Sequence, residues 1–153
     1  MFLWISVSNF ITPLFYHTHK LTYPFTETSG LPKGRKPVSR ETLSQHDTCR
    51  AVSLSAARFS SRGRLVDTFD AMILPTDFEI SAGSMAIHGI TEEMAKAKGR
   101  PFIQVFTDLM TFIGPRTKTI VMHNAKFDVG VLRSEMMRHN IDLSLIEIGR
   151  AHV

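Results

Sequence analysis

Apolar positions fall in short blocks separated by polar, turn-forming stretches. Lys20–Phe25 is short and partly β-favouring, and Gly30 and Pro32 follow it, which predicts a strand running into a turn. Lys33–Asp47 is polar and basic without a period and reads as a loop. Cys49–Phe59 alternates through Val52, Leu54 and Ala56 and predicts a second strand. Ser60–Arg64, containing an Arg-Gly step, predicts a hairpin turn, and Leu65–Leu74 the returning strand, stopped by Pro75. Three strands joined this way predict an antiparallel meander.

The period then changes. Thr91 followed by Glu92 and Glu93 opens a short helix, because acidic side chains suit the positive first turn. Phe102, Val105, Phe106, Leu109, Met110 and Ile113 recur at helical spacing, with Pro101 near the start and Gly114 just past the end. Thr119–Met122 predicts a short apolar strand. Asn124 is placed to cap a helix from about Ala125 to His139 that buries Val131, Leu132, Met136 and Met137. Strands first, then helix–strand–helix, predict an α/β fold: a mixed sheet with helices against its faces.

With 153 residues, 43% of them hydrophobic, the chain has material for one core. Its two ends are expected to lie outside that core. Met1–Tyr16 is apolar, but no basic residue precedes Lys20, and Asn9 and Pro13 interrupt the run. Residues 1–19 are therefore expected to be a dispensable extension rather than a signal peptide. Glu147–Val153 reads EIGRAHV, which resembles an in-frame translation of a sequencing-library adapter. It is expected to be a non-native tail, with the natural chain continuing past Ile146 and a partial domain in residues 20–146. A single cysteine, Cys49, excludes an intrachain disulfide and a Cys-rich zinc site and points to a reducing, cytoplasmic compartment. No apolar run reaches the ~20 residues of a membrane helix, so no membrane partner is expected.

The net charge of +4 is uneven. Residues 25–66 hold eight basic side chains (Lys33, Arg35, Lys36, Arg40, Arg50, Arg58, Arg62 and Arg64) against three acidic ones. Such a cluster attracts phosphates or forms a solvated basic loop.

Three segments hold candidate chemistry. Asp128, in His123–Leu132, falls on the first turn of a helix directly after a strand. The helix dipole there favours the ionised carboxylate that a metal ligand requires, or the side chain simply supports the helix end. Glu27, in Thr26–Pro32, lies where the first strand meets its turn, as a potential site carboxylate or an exposed turn residue. His88 lies in the Ala86–Thr91 stretch, as a functional or a structural histidine.

Taken together, these segments resemble the DEDD-type 3′–5′ exonucleases, the family that includes the proofreading epsilon subunit of bacterial polymerase III. That family has an Asp-x-Glu-Thr-Thr-Gly-Leu strand end, an Ile-His-Gly-Ile-Thr stretch and a His-Asn-x-x-Phe-Asp motif. Here Glu27–Leu31, Ile87–Thr91 and His123–Asp128 match them, and the similarity covers roughly Leu21 to Asp142. The resemblance implies a ribonuclease-H-like fold, a mixed five-stranded sheet flanked by helices with its first three strands antiparallel. It also implies hydrolysis of the terminal phosphodiester at a 3′ end of DNA or RNA, releasing nucleoside monophosphates. Two Mg²⁺ or Mn²⁺ ions about 4 Å apart would serve that reaction, held by carboxylates because hard cations prefer oxygen.

By this resemblance Glu27 and Asp128 are metal ligands and the catalytic carboxylates, and Thr28, Ile87, His88 and Phe127 contact the terminal nucleotide. The implied partners are a single-stranded 3′ end and a DNA polymerase. Two departures bear on activity. The family's first Asp is replaced by Phe25, which cannot bind a metal. The last motif, with the general-base His and the fourth carboxylate, has no match before Ile146, so the chain is expected to be truncated before its last catalytic helix and inactive as it stands. Neither His88 nor His123 substitutes for that base, because each belongs to another motif. The alternative is a non-catalytic relative that binds nucleic acid or a polymerase.

Overall fold

The computed structural model describes residues 3–6, 20–114, 117–122 and 124–145. Five strands, β1 (Leu3–Ser6), β2 (Lys20–Thr28), β3 (Ala51–Phe59), β4 (Leu65–Met72) and β5 (Thr117–Met122), form one sheet in the order β1-β5-β2-β3-β4. The β2–β3 and β3–β4 pairs are antiparallel, as the meander predicts, and β5 runs parallel to both β2 and β1. The β3–β4 turn closes with the Ser60 N–H donating to the Arg64 carbonyl, and Gly63 supplies the left-handed φ of 71° that the turn requires.

Two long helices cover one face. In α3 (Phe102–Ile113) the predicted stripe is buried: Phe102, Val105, Phe106, Leu109 and Ile113 pack over β3 and β4. α4 (Ala125–Arg138) buries Val129, Val131, Leu132 and Met136, while Met137 is only half-buried. Both helices share a core with Leu54 and Ala56 of β3 and Ile120 and Met122 of β5. Each fully buried side chain of this size contributes about 1.5–3 kcal/mol. Phe69 and Ala71 point from β4 into this core. Met72, one position on, faces the other way and joins a smaller cluster with Val52, Ile80, Ile90 and Ala95. That cluster holds α1 (Ala82–His88) and α2 (Glu92–Lys98), so helices meet both faces. Among the described residues no helix is long and apolar enough to cross a membrane.

Three features depart from the sequence expectations. Leu3–Ser6, within the expected extension 1–19, pairs with β5 as a parallel edge strand. Its run of Leu, Trp and Ile is β-favouring, which suits that role; the rest of residues 1–19, and the expected tail 147–153, lie outside the described residues. α1 was not anticipated. None of its residues is buried, so it has no apolar period, and its ends are made locally: Ser81 Oγ accepts from the Ser84 N–H, and Gly89 closes it at φ 73°. Asn124 occupies the cap position of α4 but makes no side-chain cap bond; its carbonyl accepts from the Phe127 and Asp128 amides instead.

The charge pattern also changes meaning. Arg50 is buried and bound to Glu135, which is 2% exposed. Its Nε donates to Glu135 Oε1 at 2.8 Å, Nη2 to Oε2 at 3.2 Å, and Nη1 to Asp77 Oδ2 at 2.9 Å. The Ala51 N–H donates to the same Glu135 Oε1 at 3.0 Å, and the guanidinium stacks 4.7 Å from the Phe78 ring centroid. Burial works against the Arg50 charge, but the bonds from Glu135 and Asp77 outweigh it and hold its pKa above the ordinary value. Arg58 is similarly engaged, with Asp67, the Phe112 carbonyl and the Phe112 ring. Two of the eight clustered cations are therefore structural.

Glu135→Ala, which leaves Arg50 buried without its main partner, is expected to lower stability by about 3–5 kcal/mol in chemical denaturation. Arg50→Met with Glu135→Leu should lose less, because no charge is stranded. A loss below about 1 kcal/mol for Glu135→Ala, the range of exposed pairs, would contradict this role.

Candidate active site

The candidate residues gather where β2 ends and α4 and α1 approach it. Along β2 the faces alternate. Thr22 and Pro24 are buried and Thr26 half-buried, whereas Phe25 is 47% exposed and Glu27 is exposed. The Thr26 hydroxyl donates to Asp128 Oδ1 at 2.5 Å, joining residues 102 positions apart. Asp128, on the first turn of α4, is 8% exposed. It therefore lies against the Thr26 face, and Glu27 projects from the opposite one. The sheet register extends that second face: Phe25 is opposite Ser55, which is opposite Asp70, and Glu27 is opposite Ser53, which is opposite Met72.

His88 comes to the same strand end from α1. Its Nδ1 accepts from the Ile90 N–H at 3.1 Å, so Nε2 carries the proton and donates to the Thr28 carbonyl at 3.3 Å. Both ring nitrogens are engaged, which suits a positioning role and leaves no free lone pair for a base. Ile87, beside it, is 86% exposed, an aliphatic side chain in solvent. Phe127 is half-buried and packs against the main core. The Thr28 hydroxyl donates to the Gly30 carbonyl at 3.0 Å. His123 lies outside the described residues.

The residues between Thr28 and Leu31 have structural work that the motif alone did not reveal. Ser29 is buried; its N–H donates to the Arg50 carbonyl, and its hydroxyl accepts from the Arg50 N–H and donates to the Thr48 carbonyl. A Cβ at Gly30 would fall 2.6 Å from the Thr48 carbonyl oxygen, so only glycine passes there without a shift. The strand end is thus clamped to residues 48–50.

Among the described residues no group of three or more His, Cys, Asp or Glu side chains could hold a metal ion. Phe25 offers no donor, and the two carboxylates Glu27 and Asp128 are by themselves too few oxygen ligands for a two-ion centre. Cys49 is buried, and burial pushes its thiol up to about 11.

The RNase_T exonuclease family model matches residues 27–149. The chain belongs to the exonuclease family. Among its relatives is the PolC-type DNA polymerase III of Streptococcus thermophilus, 33% identical over 86 residues, 56% of this chain and 6% of the polymerase. The Streptococcus agalactiae PolC-type enzyme is 32% identical over 88 residues, 58% of this chain and again 6% of the polymerase. The fold resembles exonuclease I in its complex with the SSB C-terminus, with a TM-score of 0.64 and 22% identity over 82% of this chain and 25% of that one. It also resembles E. coli exonuclease I bound to a dA16 oligonucleotide, with a TM-score of 0.62 and 23% identity over 81% and 25%. The fold class is accordingly α/β and ribonuclease-H-like.

Thr26→Val is expected to destabilise the domain by about 1–3 kcal/mol, because buried Asp128 loses a hydroxyl donor, and Thr26→Ser should restore most of it. Equal denaturation midpoints for the wild type and the valine variant would contradict the Thr26–Asp128 bond.

Proposed function

We propose that this chain is a 3′–5′ exonuclease domain that receives the 3′ end of single-stranded DNA or RNA, and that these 153 residues by themselves do not hydrolyse it. The observation that carries the second half is Phe25. The position where the family places its first carboxylate holds an exposed phenyl ring, which leaves Glu27 and Asp128 as the carboxylates of the expected set. Ile87 offers an exposed aliphatic surface for a terminal base or sugar, and His88, fixed by Ile90 and Thr28, orients that end of α1. Phe127 and Thr28 complete the proposed nucleotide contacts. Glu27 and Asp128 are the proposed ligands for Mg²⁺ or Mn²⁺ in a complete site of the family. A DNA polymerase is the proposed partner, in keeping with the likeness to PolC-type enzymes.

The direct test is incubation with 3′-labelled single-stranded DNA and RNA in Mg²⁺ or Mn²⁺. No monophosphate should be released. Release that disappears in Asp128→Ala would overturn the proposal and place a working site inside this chain.

Phe25→Asp would set two carboxylates at i and i+2 on one face of β2. Mn²⁺ affinity should then rise on the order of tenfold, since affinity follows the number of anionic ligands, while nuclease activity stays absent. Equal Mn²⁺ affinity by calorimetric titration would argue against Glu27 as a ligand.

A further inference from the structure

A cleft of about 750 Å³ lies beside the first turns of α4, between that helix and the loop after β2. Its size is within the ~300–1,000 Å³ of small-molecule and cofactor sites. Four cationic side chains line it: Arg35 and Lys36 from the loop, Lys126 and Arg133 from α4. No carboxylate is among its described lining residues. None of these four cations belongs to an ion pair among the described residues, in contrast to Arg50, Arg58 and Arg138.

A second observation is independent of charge. His46 also lines the cleft; it is 7% exposed, and its buried Nε2 has no hydrogen-bond partner. A buried polar atom without a partner is costly, and a hydrogen-bonding ligand is one way to satisfy it. The loop that supplies these residues is anchored. The Lys33 N–H donates to the Gln45 carbonyl, Arg138 pairs with Asp47 at 2.8 Å, and Arg138 donates to the Leu43 carbonyl. Phe127 contributes apolar wall and connects the cleft to the turn that holds Asp128.

We infer that this cleft binds the phosphodiester backbone of a single-stranded nucleic acid, with His46 Nε2 donating to a phosphate oxygen and Arg35, Lys36, Lys126 and Arg133 neutralising successive phosphates. Cations without carboxylates select an anion, four cations from two elements around one cleft can meet more than one phosphate, and the apolar wall tolerates sugar and base. The inference rests on the exonuclease reading only for the choice of a nucleic-acid strand as ligand. It needs neither metal nor hydrolysis.

The test is fluorescence anisotropy of a 5′-labelled oligo-dT with the whole chain in EDTA, where no metal-dependent reaction occurs. Arg35→Glu with Lys36→Glu should weaken binding on the order of tenfold or more. The slope of log affinity against log salt should also become shallower, by about 0.7 for each phosphate no longer neutralised. Arg62→Glu with Arg64→Glu, the same charge change in the exposed β3–β4 turn, should have a much smaller effect. His46→Phe, which keeps the ring volume and removes the donor, should weaken binding several-fold with the melting temperature checked alongside. Equal weakening by the two charge-reversal pairs would overturn the inference and leave only non-specific attraction. So would unchanged affinity in both the loop and His46 variants. Competition by free deoxynucleoside monophosphate as effective per phosphate as the oligonucleotide would also overturn it, in favour of a mononucleotide pocket. Failure here leaves the nuclease assay untouched, because that assay reads monophosphate release in the presence of a metal and not binding in EDTA.

Discussion

The bidentate pair between Arg50 and Glu135 holds the arrangement on which everything else depends. Arg50 precedes β3 and Glu135 is on the third turn of α4, and both are almost wholly removed from water. Such a pair is not a strong net source of stability, because desolvation opposes the attraction. Its value is geometric. The carboxylate accepts from the guanidinium and from the Ala51 amide together, so α4 has little freedom to slide or rotate against the sheet. With α4 set in that way, Asp128 at its first turn meets Thr26, while Lys126, Phe127 and Arg133 turn toward the loop after β2.

Side chains alternate along β2, so Thr26, which bonds Asp128, points to the α4 side and Phe25 and Glu27 project from the other face. The Phe25 and Glu27 face is shared instead with Ser55, Asp70 and the α1 end of the molecule, where His88 is fixed to the Thr28 carbonyl. An aromatic ring on that face removes a metal donor and adds an apolar surface.

Much of the fold was legible in the sequence. The β2–β3–β4 meander, the buried stripe of α3 and the apolar side of α4 follow from periodicity, and the exonuclease family follows from three short motifs. Other features depend on information that a linear pattern does not contain. α1 has no buried side chain, hence no period, and is made by Ser81 and Gly89 at its ends. Arg50 reads as one more cation in a basic stretch until Glu135, 85 residues away, is placed beside it. Alternation alone puts Glu27 and Thr26 on opposite faces, but only the packing of α4 places Asp128 beside Thr26. Ser29 and Gly30 read as motif letters, and their contacts with Thr48 and Arg50 show them to be the clamp that ends the strand.

The central proposal is that, with Phe25 in place of a carboxylate, Glu27 and Asp128 do not hold two ions in this chain. A crystal grown with a single-stranded oligonucleotide and soaked in Mn²⁺ tests it most directly, because manganese can be located by its anomalous scattering. The expected result is an uncleaved 3′ end and no pair of ions bridged by Glu27 and Asp128. Two manganese ions about 4 Å apart, held by both carboxylates at a terminal phosphate, would contradict it.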